Sequence, residues 1–407
     1  MTPTLYITRN GMLEPLGQSQ VLSYLRGLSR TYKITLVSFE KPEDIADAEA
    51  MARVRADCEA HGIHWLPQRF HLRPRGIAPA WSMLLFLWLC LREVWRGNAR
   101  LIHARSYIPA AVALVVYRLT GTPFVFDMRA LWPDEMITAG RLRQGSQLHR
   151  MIVAAERACL RRAATVVCLT HAAVDHLRAL YPNELAGQTM VVIPTCADLD
   201  RFVPAATAGN RPRVYACLGS VLTGWFRLDW LAGFFAVVAS RDPDAQFQIV
   251  TRDDPARVRA AFGASSGLQE RLEIYSTPPQ KVHEAVQRHS VNVMFYAGQE
   301  VSELGRSPTR MAEVLGCGLP VVANSGVGDV ARVINEYRVG VLATGNTPHE
   351  MNETMDALLE LWKDPDLAYR CRAAAEAVFS LTNGTRSYAA IYAQVLDHRT
   401  SFSGGDR

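Results

Sequence analysis

Arg310 and Glu313 stand three residues apart in the stretch RSPTRMAEVLGCGLPVVANSG, residues 306–326. Ser307 has the chemistry of a helix cap, and Pro308 suits the first helical position because its missing N–H would be unpaired there anyway. Thr309 and Arg310 complete the opening turn. Met311, Val314 and Leu315 supply a buried stripe, and Gly316 and Gly318 end the helix before the strand LPVVAN. A helix start carries roughly half a positive charge, so a cation is disfavoured there by about 0.3–1 kcal/mol. A ligand with two or more negative charges would reverse that penalty, which makes a diphosphate the natural partner of Arg310. Glu313 shares the helix face, and its carboxylate is suited to accept from both hydroxyls of a ribose. The alternative is an Arg310–Glu313 surface pair worth a few tenths of a kcal/mol.

The elements that would position these residues alternate regularly. TLYITR, KITLVSF, HWLP, RLIHARS, PFVFDM, TVVCLT and MVVIP read as short apolar strands, separated by helical segments such as GQSQVLSYLRGLSR. Such alternation predicts a parallel sheet covered on both faces. The rhythm breaks at RFVPAATAGNRPR, a linker over 201–213, and resumes with RVYACLG, QFQIVT, LEIYST, VNVMFY, LPVVAN and VGVLAT. The predicted organisation is therefore an α/β domain over 1–200 and a second over 214–383. A helix over 384–398 would pack back on the first, ahead of a disordered tail over 399–407. In such sheets ligands sit outside the carboxyl ends of strands and at helix N-termini.

Bulk properties narrow the chemistry. A chain of 407 residues with a net charge of +5 carries no long basic run, so nucleic acid is not an expected partner. The eight cysteines form no C-x-x-C pair, which points to reduced thiols in a cytoplasm and to no structural zinc. The start MTPTLYITRNG lacks the pattern of a signal peptide and reads as a first strand. No G-x-G-x-x-G, G-x-x-x-x-G-K-[ST], nucleophile elbow or H-E-x-x-H occurs, and the two D-P-D triplets lie beside helical segments. No metal site or cofactor is expected. Residues 69–97 hold an apolar centre, Trp81 to Leu91, too short to span a bilayer but flanked by arginines. A peripheral helix at the inner membrane face and a buried crossover helix both fit.

The motif PTRMAEVLGCGLPVVA resembles the signature of family 4 type glycosyltransferases, retaining nucleotide-sugar transferases of the GT-B fold. GMLEPLGQSQVLSYLRGL, HARSYIPAA, PFVFDMRALWPDE, ERACLRRAATVVCLT and SGVGDVARVINEYRVGVL are similar to segments of a bacterial subgroup that builds exopolysaccharide and lipopolysaccharide, and the resemblance extends over nearly the whole chain. It implies two Rossmann-like doubly wound domains facing an interdomain cleft. It also implies transfer of a sugar from a nucleoside diphosphate donor to a glycan or polyprenyl-diphosphate-linked acceptor, at or near the cytoplasmic membrane.

By that resemblance Glu313 would hold the donor ribose and Arg310 the diphosphate, with Ser307 and Thr309 at the helix start. Gly17 would lie in the loop approaching the donor, and Tyr275, Ser276 and Thr277 where the base is read. His103 and Arg105 end one strand of the first domain; Asp127 and Arg129 end another. Arg129 falls where many relatives have a histidine beside the reacting sugar, and an arginine there suits departing phosphate or an acceptor anion. Asp127 is the candidate acceptor base, with Asp134 and Glu135 as alternative carboxylates. An Asp127–Arg129 contact across the strand pleat is not expected. The chain departs from the family in two places. Gly305 stands where the first motif glutamate belongs, with Glu303 out of register, and GSVLTGWFRLD replaces the usual Arg/Lys clamp, leaving Ser220 and making Arg227 the expected substitute. Those departures keep two alternatives open: a catalytically silent nucleotide-binding partner of another transferase, and a GT-B nucleotide-sugar epimerase.

Overall fold

The computed structural model describes residues 1–70, 77–205, 213–263, 266–298 and 300–403. The chain forms two compact units, residues 1–193 with 381 onward, and residues 194–380. The first is built on seven parallel strands: β1 Thr2–Ile7, β2 Tyr32–Glu40, β3 His64–Arg69, β4 Leu101–Arg105, β5 Phe124–Asp127, β6 Thr165–Cys168 and β7 Met190–Val192, in the order β3-β2-β1-β4-β5-β6-β7. The second has six: β8 Val214–Leu218, β9 Gln246–Val250, β10 Leu272–Tyr275, β11 Val291–Met294, β12 Val321–Asn324 and β13 Gly340–Ala343, in the order β10-β9-β8-β11-β12-β13. The central strands are buried on both faces, and this is why Phe124–Asp127 and Val321–Asn324 are apolar runs rather than alternating ones. Both sheets are Rossmann-like, of the two-domain GT-B kind. Strand order reverses between β1 and β4 in one and between β8 and β11 in the other, the place where such sheets open a ligand crevice.

Register fixes which residues meet at these openings. Tyr6 is the cross-strand partner of His103, and Arg105 that of Asp127. The segment after β1 is helical over 15–28, with a wide π turn at Gln18–Leu22. π turns of this kind recur at functional sites.

The first unit ends at Ile193 rather than near 200, because Thr195 bonds to Ser307 and Ala197 pairs with Ser380, all within the second unit. Residues 206–212 of the expected linker and 71–76 of the 69–97 stretch lie outside the described residues. The last helix, Leu381–Ser403, belongs to the first unit and packs on the Ser23–Leu28 helix and β4. It extends past 398, so 399–403 are helical rather than disordered, and 404–407 lie outside the described residues. All eight cysteines are free and buried. Among the described residues no helix is long and apolar enough to cross a membrane.

Candidate active site

In the second unit the helix Thr309–Gly316 starts at the mouth of the β8/β11 switch. Arg310 does not pair with Glu313; its guanidinium reaches back across the loop that follows β8. Arg310 Nη1 donates to Cys217 Sγ at 3.8 Å and Nη2 to the Ser220 carbonyl at 3.4 Å. It also lies 5.5 Å from the ring centres of both Phe226 and Tyr296. Gly219 makes this possible. Its φ is +92°, and a Cβ there would stand 2.7 Å from Arg310 Nη2. Asp253 holds the next two residues, accepting from Val221 N at 2.6 Å and Leu222 N at 2.9 Å. Asn324 fixes Tyr296 by accepting from its N–H at 2.8 Å and donating to its carbonyl at 3.0 Å.

The Glu313 carboxylate, half-buried one turn on, makes no hydrogen bond or ion pair among the described residues, so the surface-pair alternative fails. Burial pushes its carboxyl up to about 7, against the pull of Arg201 and Arg310. Arg201, which sequence reasoning missed, stacks on Phe202 at 4.9 Å and donates to the Pro279 carbonyl at 3.1 Å. It thereby links Glu313 to the turn after Tyr275, Ser276 and Thr277. Tyr275 ends β10, and its hydroxyl donates to Gln248 at 3.4 Å.

Several expectations need correction. Ser307 is not the helix cap. The helix begins at Thr309 behind an uncapped Pro308, and the Ser307 hydroxyl is engaged by Thr195, whose N–H donates to it at 3.2 Å. Arg227, the expected substitute for the missing clamp, is instead paired with Asp229 through Nε and Nη2, at 2.9 and 2.7 Å, and its guanidinium stacks on Trp230. Glu303 is buried in a two-bond pair with Arg306, at 2.6 and 2.8 Å, and is therefore not free to act as the absent first glutamate.

In the first unit the loop after β1 is held by Glu40, another residue the sequence did not single out. Its buried carboxylate accepts from Met12 N at 3.0 Å, Leu13 N at 3.4 Å and Ser38 Oγ at 2.6 Å. Gly17 closes that loop so tightly that a Cβ would lie 2.8 Å from Met12 Cα and closer still to the Gly11 carbonyl.

The structure gathers His103, Arg105, Asp127 and Arg129 around one carboxylate. His103 Nε2 meets Asp127 Oδ2 at 3.3 Å, and His103 Nδ1 meets the Tyr392 hydroxyl at 2.8 Å. Tyr388 donates to Asp127 Oδ2 at 3.1 Å. Arg105 and Arg129 approach the carboxylate at 3.5 and 3.7 Å. The Asp127–Arg129 contact thus exists. It forms because β5 stops at Asp127 and Arg129 adopts φ +62°, which removes the pleat geometry. Ser106, just past β4, is also at positive φ, +76°. Such conformations cost on the order of 1–3 kcal/mol and collect at functional sites.

Burial alone would raise the Asp127 pKa, but Arg129, the His103 bond and Arg105 overcome it and hold the group at about 2. A carboxylate so reluctant to take a proton, with no exposed surface, is not an acceptor base; here it orients cations. His103 is also buried, and burial lowers its pKa, so it is a neutral bridge rather than a group that touches substrate. Asp134 lies in the first turn of the Trp132–Thr138 helix beside Glu135, and partial burial pushes its carboxyl up. Among the described residues no three His, Cys, Asp or Glu gather into a metal-holding group.

Comparison with known proteins bears on the family and the fold. The glycosyltransferase family 4 model matches residues 17–201, and the model for glycosyl transferases group 1 matches residues 212–361. A 2-deoxystreptamine N-acetyl-D-glucosaminyltransferase of Streptomyces fradiae is 29% identical over 284 residues, 66% of this chain and 64% of that protein, so the match spans under two thirds of the relative. Among solved structures, sucrose-phosphate synthase of Thermosynechococcus elongatus superposes with a TM-score of 0.71 at 16% identity, over 98% of this chain and 100% of the other. HepE of Anabaena, solved with UDP-glucose, gives 0.65 at 16% identity over 98% and 100%. WaaG, a glycosyltransferase involved in lipopolysaccharide biosynthesis, gives 0.65 at 13% identity over 95% and 99%. The chain thus carries the two Rossmann-like sheets of the GT-B fold, and its first unit matches the glycosyltransferase family 4 model and its second the model for glycosyl transferases group 1.

Proposed function

We propose that this chain is a retaining, metal-independent glycosyltransferase that moves a sugar from a nucleoside diphosphate donor to a glycan or lipid-linked acceptor in cell-surface polysaccharide synthesis. The observation that carries the reading is Arg310 stretched over Gly219, with the unpaired Glu313 one turn behind it. Glu313 accepts from the ribose hydroxyls, and Tyr275, Ser276 and Thr277 flank the base. Arg310 and the N–H groups of the uncapped helix start face the diphosphate. They stabilise the negative charge that develops as the sugar leaves, the task a divalent cation performs in other transferases. Retention and independence from metal are carried over from the family. The bound UDP-glucose of HepE supports a uridine nucleotide as the first donor to test.

An acceptor at the inner membrane face is supported by the Ile77–Trp95 helix. Leu84, Trp88 and Trp95 are 60%, 55% and 66% exposed, and Arg92 lies 5.2 Å above the Trp88 ring. Leu119 of the neighbouring Tyr107–Thr120 helix is 62% exposed and extends the apolar surface. Aromatic and leucine side chains beside arginine suit a lipid interface, and the relation to WaaG accords with a surface polysaccharide product.

The second reading is a nucleotide-binding partner that does not itself transfer. It is favoured by Arg227 being consumed by Asp229 and by the place of the first glutamate being taken by Gly305. A thermal-shift panel of nucleoside diphosphate sugars separates the readings when followed by a product assay with the best ligand. A ligand that binds only the folded state raises stability according to its concentration over its Kd. We expect one donor to raise the melting temperature, Glu313→Ala to remove the rise with the apo melting temperature preserved, and transfer to be lost with it. Stabilisation without turnover in the natural chain would establish the silent partner, and unchanged turnover in Glu313→Ala would defeat the primary reading.

A further inference from the structure

The cluster at the carboxyl ends of β1, β4 and β5 does not balance its charge. Arg105 and Arg129 face one carboxylate, Asp127, and the third neighbour, His103, is neutral. Tyr6, Tyr388 and Tyr392 beside it are kept protonated by burial. Among the described residues Arg129 donates only to neutral partners besides the carboxylate, Nη1 to the Tyr388 hydroxyl at 3.3 Å and Nη2 to Gln20 at 3.4 Å. The side chains of Arg105 and Arg129 are only 6% and 9% exposed, so one whole positive charge is left in a nearly dry place. Both guanidinium Nε atoms, buried as they are, lack a hydrogen-bond partner among the described residues. A buried charge without a counter-charge is destabilising unless something supplies one. Two positive-φ residues, Ser106 and Arg129, hold the cluster at the strand-order reversal.

We infer that Arg105 and Arg129 form a receptor for a phosphate group on the acceptor, with Asp127, His103 and Tyr388 positioning the two guanidinium groups. This rests on the transferase reading above and narrows its acceptor class to phosphate-bearing molecules. Arginine forks suit phosphate oxygens geometrically, and the low local dielectric strengthens the contact. Two sources share this chemistry: the diphosphate of a lipid-linked glycan, and a soluble phosphorylated sugar.

The test uses the full chain with the donor site first saturated with UDP, so that added phosphate cannot act there. UDP binding by itself tests the transferase reading; the phosphate titration that follows tests this inference. Inorganic phosphate is expected to raise the melting temperature of the natural chain and of Arg310→Ala by about 2–4 °C. The rise should vanish in Arg129→Gln and return in part in Arg129→Lys. Because Arg129→Gln leaves Arg105 balanced by Asp127, its melting temperature without phosphate should not fall, which separates lost binding from lost folding. Co-sedimentation with phosphatidylcholine vesicles carrying farnesyl diphosphate, against vesicles carrying farnesol, tells the sources apart. Retention by the diphosphate alone, lost in Arg129→Gln, assigns the lipid-linked source. No retention, with the phosphate response intact, assigns the soluble one. A phosphate response undiminished in Arg129→Gln, absent from the natural chain, or abolished by Arg310→Ala would overturn the proposal.

Discussion

Glu313 shows how a single side chain can tie donor binding to pH. Burial raises its carboxyl to about 7, so near neutrality the empty site holds a mixture of acid and carboxylate. Its proton is bound more tightly in the folded than in the unfolded chain. The stability this gives is complete below the ordinary value of 4.5 and is lost as pH rises through about 7. Two ribose hydroxyls need the carboxylate as acceptor, so binding draws on the ionised fraction alone. Affinity for a nucleoside diphosphate sugar, whose diester phosphates do not titrate in this range, should therefore rise about tenfold from pH 6 to pH 8. Isothermal titration at the two pH values measures this, and Glu313→Gln should bind weakly and flatly across them. A natural chain with no pH dependence would remove Glu313 from the ribose.

At the scale of elements, the loop after β8 is shaped for Arg310. Its glycine occupies a left-handed conformation and leaves the space the guanidinium crosses; Asp253 pins the following backbone. Gly219→Ala should strain the loop at φ +92° and push Arg310 away, weakening nucleoside diphosphate binding at least tenfold, about 1.4 kcal/mol. Titration calorimetry of Gly219→Ala against the natural chain checks this, and equal affinity would mean that Arg310 does not need that path. The sequence made all thirteen strands readable, because doubly covered parallel strands are short apolar runs with little competing pattern. It also marked the helix carrying Arg310 and Glu313, whose periodicity and glycine stops are local. Partners distant along the chain were not legible. The hydroxyl of Ser307 is claimed by Thr195, 112 residues away, and so the cap read from local spacing does not form. Tyr388 and Tyr392 stand four apart in SYAAIYAQV, an ordinary buried helix stripe, and nothing there points to Asp127 or His103. The Asp127–Arg129 contact was hidden by the positive φ of Arg129, which no propensity foretells for an arginine.

At the scale of the molecule, each sheet brings its chemistry to the point where its own strand order reverses. The second unit gathers a guanidinium and a carboxylate suited to a nucleoside diphosphate; the first gathers two guanidinium groups around one carboxylate. The centre of this division is the assignment of Arg310 to the leaving diphosphate and of Glu313 to the sugar of the nucleoside. The most direct measurement compares uridine with UDP by titration calorimetry on the natural chain and on Arg310→Ala. The account predicts that Arg310→Ala loses at least tenfold in affinity for UDP while its affinity for uridine stays within twofold. An equal loss for both ligands, or no loss for UDP, would contradict it.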